Sequence, residues 1–231
     1  MPDSNEAFDT PLPPNSPSRS AACPQGSPQA VERSRQILRN ALTVFAEQGF
    51  AQADVQAIAD RSGVGKGTVY RQFGNKEALF LAAARFAREW MMCTVDRQAE
   101  AEGDPLARLR ACMLACLQFC DEHPEVVEML VQERALFRGR TLTFFDRPSD
   151  EVNLWNERLR ELVQLGVFRA LPIEQIDDAI SKFVLGTMFV NFFAGRKKPL
   201  TEQYEGAVDI LFHGLLSPKR ITTKRDDDCP S

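Results

Sequence analysis

Through most of the chain, apolar residues recur at helical spacing. Ile37, Ala41, Val44 and Phe45 share one face of a first helix, flanked by Leu38 and Leu42, and Gly49 is placed to stop it. Asp54 is placed to cap a second, short helix whose apolar side is Val55, Ile58 and Ala59, with Gly63 at its end. A third short helix covers Lys66 to Phe73 and is closed by Gly74; Asn75 then caps a long helix from Lys76 to about Asp96. Downstream, prolines stand where helices begin, since a first-turn residue needs no N–H. Pro105, Pro124, Pro148, Pro172 and Pro199 delimit helices near 105–121, 125–137, 150–166, 173–195 and 202–216. No stretch alternates with period two for long enough to form a strand. The expected fold class is all-α.

Composition divides the chain further. Residues 1–30 hold seven of the fourteen prolines and almost no periodic apolar residues, which predicts a disordered extension. Residues 217–231 carry Lys219, Arg220, Lys224 and Arg225, then three consecutive aspartates, and read as a disordered charged tail. Between these lie a head, 31–78, and a larger helical body, 79–216. The longest apolar stretch, Phe183 to Gly195, has 13 residues and contains Asn191, so it suits a buried helix rather than a membrane span. No charged segment followed by an apolar run opens the chain. The expected location is the cytoplasm, with the six cysteines reduced.

The net charge of −4 argues against a protein that binds polyanions over its whole surface. The average hides a split. Residues 31–76 hold seven Lys/Arg against four acids, a local +3, so the remainder sums to −7. The basic segment coincides with two short helices joined by Ser62-Gly63-Val64-Gly65, the layout of a helix-turn-helix. Ile58, Ala59, Val64 and Val69 can form its inner side, leaving Lys66, Gly67, Thr68, Arg71 and Gln72 toward solvent. Gly67 permits close approach to a major groove. Thr68, Arg71 and Gln72 are candidates for base edges, and Tyr70 and Lys76 for phosphates.

Four stretches carry a family resemblance: Ala-Glu-Gln-Gly-Phe (46–50), Val-Gln-Ala-Ile-Ala (55–59), Gly-Val-Gly-Lys-Gly-Thr-Val-Tyr-Arg-Gln-Phe (63–73) and Asn-Lys-Glu-Ala-Leu-Phe (75–80). In this order and spacing they resemble the DNA-binding domain of TetR/AcrR-type transcriptional regulators, over about residues 31–80. The resemblance implies a three-helix DNA-binding head on a helical ligand-binding and dimerisation body. It implies a homodimeric repressor that binds a palindromic double-stranded DNA operator and is released by a small-molecule effector. By position, Lys66, Gly67, Thr68, Tyr70, Arg71, Gln72 and Lys76 match the family's DNA contacts. Two positions depart from the pattern. Asp54 stands where the family usually has a phosphate-contacting Thr, and Gly65 stands where Ser is common. Gln-Glu-Arg-Ala (132–135) and residues 186–196 are similar to stretches in one branch of these regulators.

Other signals have plainer readings. The Gly63–Thr68 run lacks the glycine and hydroxyl spacing of a phosphate-binding P-loop. Cys112, Cys116 and Cys120 fall on one helix face with Leu109 and Met113, which predicts core packing rather than a metal or redox site. His123 and His213 lack a partner at catalytic spacing and are expected at the surface or in caps. No enzymatic constellation, metal site or cofactor motif is present, so an enzyme or carrier with a vestigial helix-turn-helix is disfavoured: the +3 head has no purpose without a polyanion. The segment 183–195 is apolar nearly all round and needs cover on two sides. The expected second cover is a partner subunit, through helices near 173–195 and 202–216. Trp90, Phe119, Met129, Phe137, Trp155, Phe168 and Met188 can line an apolar effector cavity, with Arg134 or Arg138 anchoring an anion.

Overall fold

The computed structural model describes residues 27–195 and 198–215. Most of the expected N-terminal extension and the whole charged tail lie outside the described residues, as do Cys23, Cys229, Arg196 and Leu216. The elements are α1 (Pro28–Gln52), α2 (Val55–Arg61), α3 (Lys66–Phe73), α4 (Lys76–Glu100), α5 (Pro105–Glu122), α6 (Pro124–Leu136), α7 (Ser149–Gln164), α8 (Ile173–Phe193) and α9 (Leu200–Leu215). A 3-10 turn, Thr143–Phe145, precedes α7. Among the described residues there is no strand, and no helix is long and apolar enough to cross a membrane.

Two helices run past their expected ends, α1 beyond Gly49 to Gln52 and α4 beyond Asp96 to Glu100, and two helix starts differ for identifiable reasons. Helix α1 starts at Pro28 rather than after residue 30, because Ser27 accepts a hydrogen bond from the Ala30 N–H and Pro28 occupies the first helical position. Helix α9 starts at Leu200 rather than near 202 because its cap comes from elsewhere. The two Asp121 carboxylate oxygens accept from the N–H groups of Leu200 (2.8 Å) and Thr201 (3.0 Å).

The chain forms two compact units, Met1–Cys93 with Glu122–Arg147, and Thr94–Asp121 with Pro148–Ser231. They cut the chain differently from the division at 78/79, since α6 joins the unit that contains the head. In that unit Ile37, Leu42, Phe45, Ile58, Val69, Leu79 and Phe80 are fully buried. Phe45, Phe50, Phe80 and Phe137 gather in one aromatic cluster, with Phe45–Phe80 and Phe50–Phe80 edge to face at 5.1 and 5.4 Å. His123 is here too, at the N-cap position of α6 but buried rather than exposed: its ring lies 4.1 Å from Trp90, and its Nδ1 lies 3.3 Å from Glu125.

In the second unit the core is built from Leu109, Met113, Leu117, Leu159, Leu162, Phe168, Met188 and Phe212. Helix α9 is tied to α5 by the Asp121 cap and by the Tyr204 hydroxyl, which donates to the Arg110 carbonyl at 2.9 Å. Burial pushes the Tyr204 hydroxyl up to about 12, so it stays a donor across the physiological range. Helix α9 is tied to α8 by Gln203, whose amide donates to the buried Asn191 at 3.0 Å.

The cysteine stripe sits inside this second unit. Cys112 and Cys120 are buried, and Cys120 lies 3.6 Å from the Met188 sulfur. Burial raises the Cys112 and Cys116 thiols above their ordinary value, which suppresses the thiolate that metals and oxidants require. Replacing Cys112, Cys116 and Cys120 together by Ala is expected to cost roughly 1 kcal/mol per buried site. Denaturant unfolding should register that loss while DNA binding at low temperature persists. Stoichiometric zinc or copper in the purified protein, absent from the triple variant, would contradict a purely structural role.

Candidate nucleic-acid interface

Helix α1 is the frame on which the short helices are hung. Asn40 donates to the Ser62 hydroxyl at 2.9 Å, and that hydroxyl donates to the Ile58 carbonyl at 2.7 Å, pinning the end of α2. Arg61 reaches Glu47 on α1 at 3.0 Å. The Gln72 amide donates to the Ser34 hydroxyl, which holds the end of α3 against the same helix. Ser34 is itself buried and donates to the Ala30 carbonyl.

The turn between α2 and α3 closes by local bonds. The Val64 N–H reaches the Ala59 carbonyl at 3.0 Å and the Gly63 N–H reaches Asp60 at 3.1 Å, the paired bonds of a Schellman motif. Gly63 takes φ +63°, a left-handed conformation that a β-carbon disfavours. Helix α3 then begins without a side-chain cap at Gly65 and buries Val69 completely. At 100° per residue, Gly67, Thr68 and Arg71 lie on the side of α3 opposite Val69 and Phe73, with Tyr70 on the flank; Lys66, at the first position, falls on the same side as Phe73. Gly67, Tyr70 and Arg71 are exposed, whereas Lys66 and Thr68 are half-buried. Gln72 lies on the edge next to α1 and is also exposed. One of its amide hydrogens is committed to Ser34; among the described residues the other, and its carbonyl, have no side-chain partner and can serve a further one.

Charge on this face is partly internally paired. The Lys66 ammonium lies 3.2 Å from Asp54, whose carboxylate also accepts from the Gln56 N–H at 2.8 Å and so caps α2. The Gln56 N–H first, and Lys66 second, hold the Asp54 carboxyl below its ordinary range. The cap is therefore charged at neutral pH, and its contribution is lost only as pH falls through that lowered value. The pair is exposed to water, where such bridges contribute little, so a phosphate can take Lys66 from Asp54 at small cost. Lys76, at the first turn of α4, donates to the Ala51 carbonyl at 3.1 Å and stands over the Phe50 ring at 5.1 Å.

Of the residues expected to line an effector cavity, Trp155 borders a small recess with Pro105, Leu109 and Cys112. Trp90, Phe119, Met129, Phe168 and Met188 are buried, Phe137 belongs to the aromatic cluster, and Arg134 and Arg138 are exposed. Trp155 donates to Asp177 at 2.7 Å. The second unit has a groove of about 360 Å³ lined by Glu100, Arg108, Leu154, Glu157, Arg158 and Glu161; Arg158 is bridged to Asp96 at 3.3 Å. Sequence reasoning missed Ser34 and Asn40 as the anchors of the head. Ser34 carried a signal, being a polar residue on the apolar stripe that continues through Ile37, Leu38 and Ala41. Among the described residues no cluster of His, Cys, Asp and Glu can hold a metal ion.

An all-helical chain whose basic segment folds into two short helices on a longer one, with a polar arc turned outward, defines a helix-turn-helix DNA-binding protein. Residues 37–83 match the family model of bacterial regulatory proteins, tetR family, which makes this segment a TetR-type DNA-binding domain. It is 26% identical over 181 residues to the HTH-type transcriptional repressor KstR2 of Mycobacterium tuberculosis, an alignment spanning 77% of this chain and 89% of that protein. The fatty acid degradation regulator FadR from Bacillus halodurans shares the fold with a TM-score of 0.66 and 23% identity, over 78% of this chain and 98% of that one. FadR from Bacillus subtilis, solved in complex with stearoyl-CoA, gives a TM-score of 0.66 at 19% identity, over 78% of this chain and 97% of that one.

Proposed function

We propose that the protein is a homodimeric transcriptional repressor that binds a palindromic operator and is released by a small-molecule effector held in the helical body, 79–216. It acts by binding rather than by catalysis, in the cytoplasm where the chromosome is. The observation that carries this reading is the outward arc of α3 on a head of local charge +3 in an otherwise acidic chain. In this reading Gly67 lets the helix sit deep in the major groove. Thr68, Arg71 and Gln72 face base edges, and Lys66, Tyr70 and Lys76 hold phosphates. Likeness to the repressor KstR2 supports repression, and the stearoyl-CoA complex of the Bacillus subtilis FadR supports a small-molecule effector.

Dimer formation is supported by the exposed apolar residues on the last two helices. Val190 and Phe193 on α8 and Ile210 on α9 are 68%, 73% and 77% exposed. Apolar side chains this open on adjacent helices call for a partner surface, and a two-fold axis supplies one from an identical chain.

The test is a gel shift with DNA from upstream of the protein's own gene, against random duplex of equal length. Specific retention is expected at salt concentrations that dissociate the random duplex, with a footprint of two half-sites one helical turn apart or a multiple of it. Equal affinity for both DNAs at every salt concentration would reject an operator-binding role.

A further inference from the structure

Helix α1 is interrupted near its end. Gly49 takes φ 74° and ψ 156° inside it, so the helical hydrogen-bond ladder cannot pass through. A side chain from α6, more than eighty residues away in sequence, bridges the gap. The Gln132 carbonyl oxygen accepts from the Phe50 N–H at 3.0 Å, beyond the break, and its amide donates to the Phe45 carbonyl at 3.0 Å, before it. The second amide hydrogen goes to Glu128 at 3.2 Å, one turn back on α6, which fixes the amide's orientation. Every partner of this contact lies within one compact unit.

The turn held in this way is the one that Lys76 rests on. Lys76 donates to the carbonyl of Ala51 and stands over the ring of Phe50, the residue whose N–H Gln132 accepts. The Phe50 ring is in turn packed on Phe80 of α4 and Phe137 at the end of α6. We propose that Gln132 is a positioning residue for DNA binding: by splinting α1 across Gly49 it fixes the Phe50–Ala51 turn and, through it, the ammonium of Lys76. This rests on the assignment of Lys76 to a phosphate. It gives the Gln-Glu-Arg-Ala stretch a task in the head. A hydrophobic residue at 132 can fill the space but cannot bridge the break, because the gap needs one donor and one acceptor at once.

The experiment is a double-variant cycle on full-length protein, using fluorescence anisotropy with a labelled random-sequence duplex at several salt concentrations. Lys76→Ala should weaken binding about tenfold per head near 0.1 M salt and lower the salt slope by about one unit per head. Gln132→Ala should weaken binding by about threefold or more per head, with a reduced slope. The double variant should bind no worse than Lys76→Ala alone. If Gln132→Ala lowers the melting temperature but leaves affinity and slope unchanged, Gln132 is only structural. If its effect is equally large with and without Lys76, it acts by another route. Either result overturns the proposal while leaving the assignment of Lys76 intact. A Lys76→Ala variant that binds like wild type overturns both together. Should Gln132→Ala fail to fold, Gln132→Glu is used in the same cycle. It keeps the acceptor for Phe50, removes the donor to Phe45, and is held to the same outcomes.

Discussion

Gly67→Val should abolish operator binding while leaving the protein folded. The position is exposed on α3, and a β-carbon built there meets no atom within 4 Å in the free protein. Valine is also a better helix former than glycine, so the substitution does not weaken α3. Its whole effect is then reserved for the complex. A branched side chain at the leading edge of α3 stands where the groove floor must approach. It lifts Arg71 and its neighbours away from the bases together, which is worse than losing one contact of about 1–3 kcal/mol. Affinity for the operator should fall at least about a hundredfold, toward that for random DNA, given that specific sites typically exceed non-specific ones by about a thousandfold or more. Footprinting checks the binding and circular dichroism the fold. Wild-type protection of the operator by this variant would show that another surface reads the DNA.

Phe193→Glu should separate the proposed dimer into folded monomers. The Phe193 ring touches Phe189 and Phe192 of its own helix and is otherwise largely open. Within the protomer a glutamate therefore creates no cavity and buries no charge. Across a two-fold interface it would place an unpaired carboxylate against apolar Val190 and Ile210 from both chains. Burying such a charge costs roughly several kcal/mol per ion, enough to weaken association about a thousandfold or more. Phe189 and Phe192, the alternatives that the sequence pattern offers, are half-buried within the protomer and would confound dissociation with unfolding. Sedimentation at micromolar concentration decides the matter: a wild-type monomer would reject the dimer, and a variant that remains dimeric would place the interface elsewhere. Operator affinity should fall with dimer loss, because each half-site then contributes alone.

Both predictions draw on features that were legible before any coordinates. The arc of α3 follows from eight consecutive residues and a rotation of 100° per step. Val69 and Phe73 point inward because they are apolar, and the polar remainder has nowhere else to go. The apolar run from Phe183 onward predicts a helix that needs cover on two sides. Which ring stands open was not legible, because Phe189, Phe192 and Phe193 are equally apolar and only packing against neighbouring helices separates them. The same limit applies to the aromatic and Arg residues offered for an effector cavity. Composition distinguishes a buried aromatic from a charged surface residue, but it does not distinguish a cavity wall from solid core.

The sequence by itself determined the all-helical class, the helix starts marked by prolines and caps, the helix-turn-helix and the charge division. Each depends on interactions within a turn or two of the chain: capping hydrogen bonds, the excluded N–H of proline, the left-handed turn at Gly63, the periodicity of apolar residues. Only the tertiary structure decided what joins distant segments. Asp121 caps a helix that begins 79 residues later, Gln132 holds Phe50, 82 residues earlier, across a helix break, and Ser34 holds Gln72 across 38 residues. Such pairs leave no periodic trace, because a polar side chain can satisfy its hydrogen bonds with any donor or acceptor that packing brings near. The grouping of α6 with the head belongs to the same class. It rests on buried rings and one oriented amide, and their partners become neighbours only when the chain has folded.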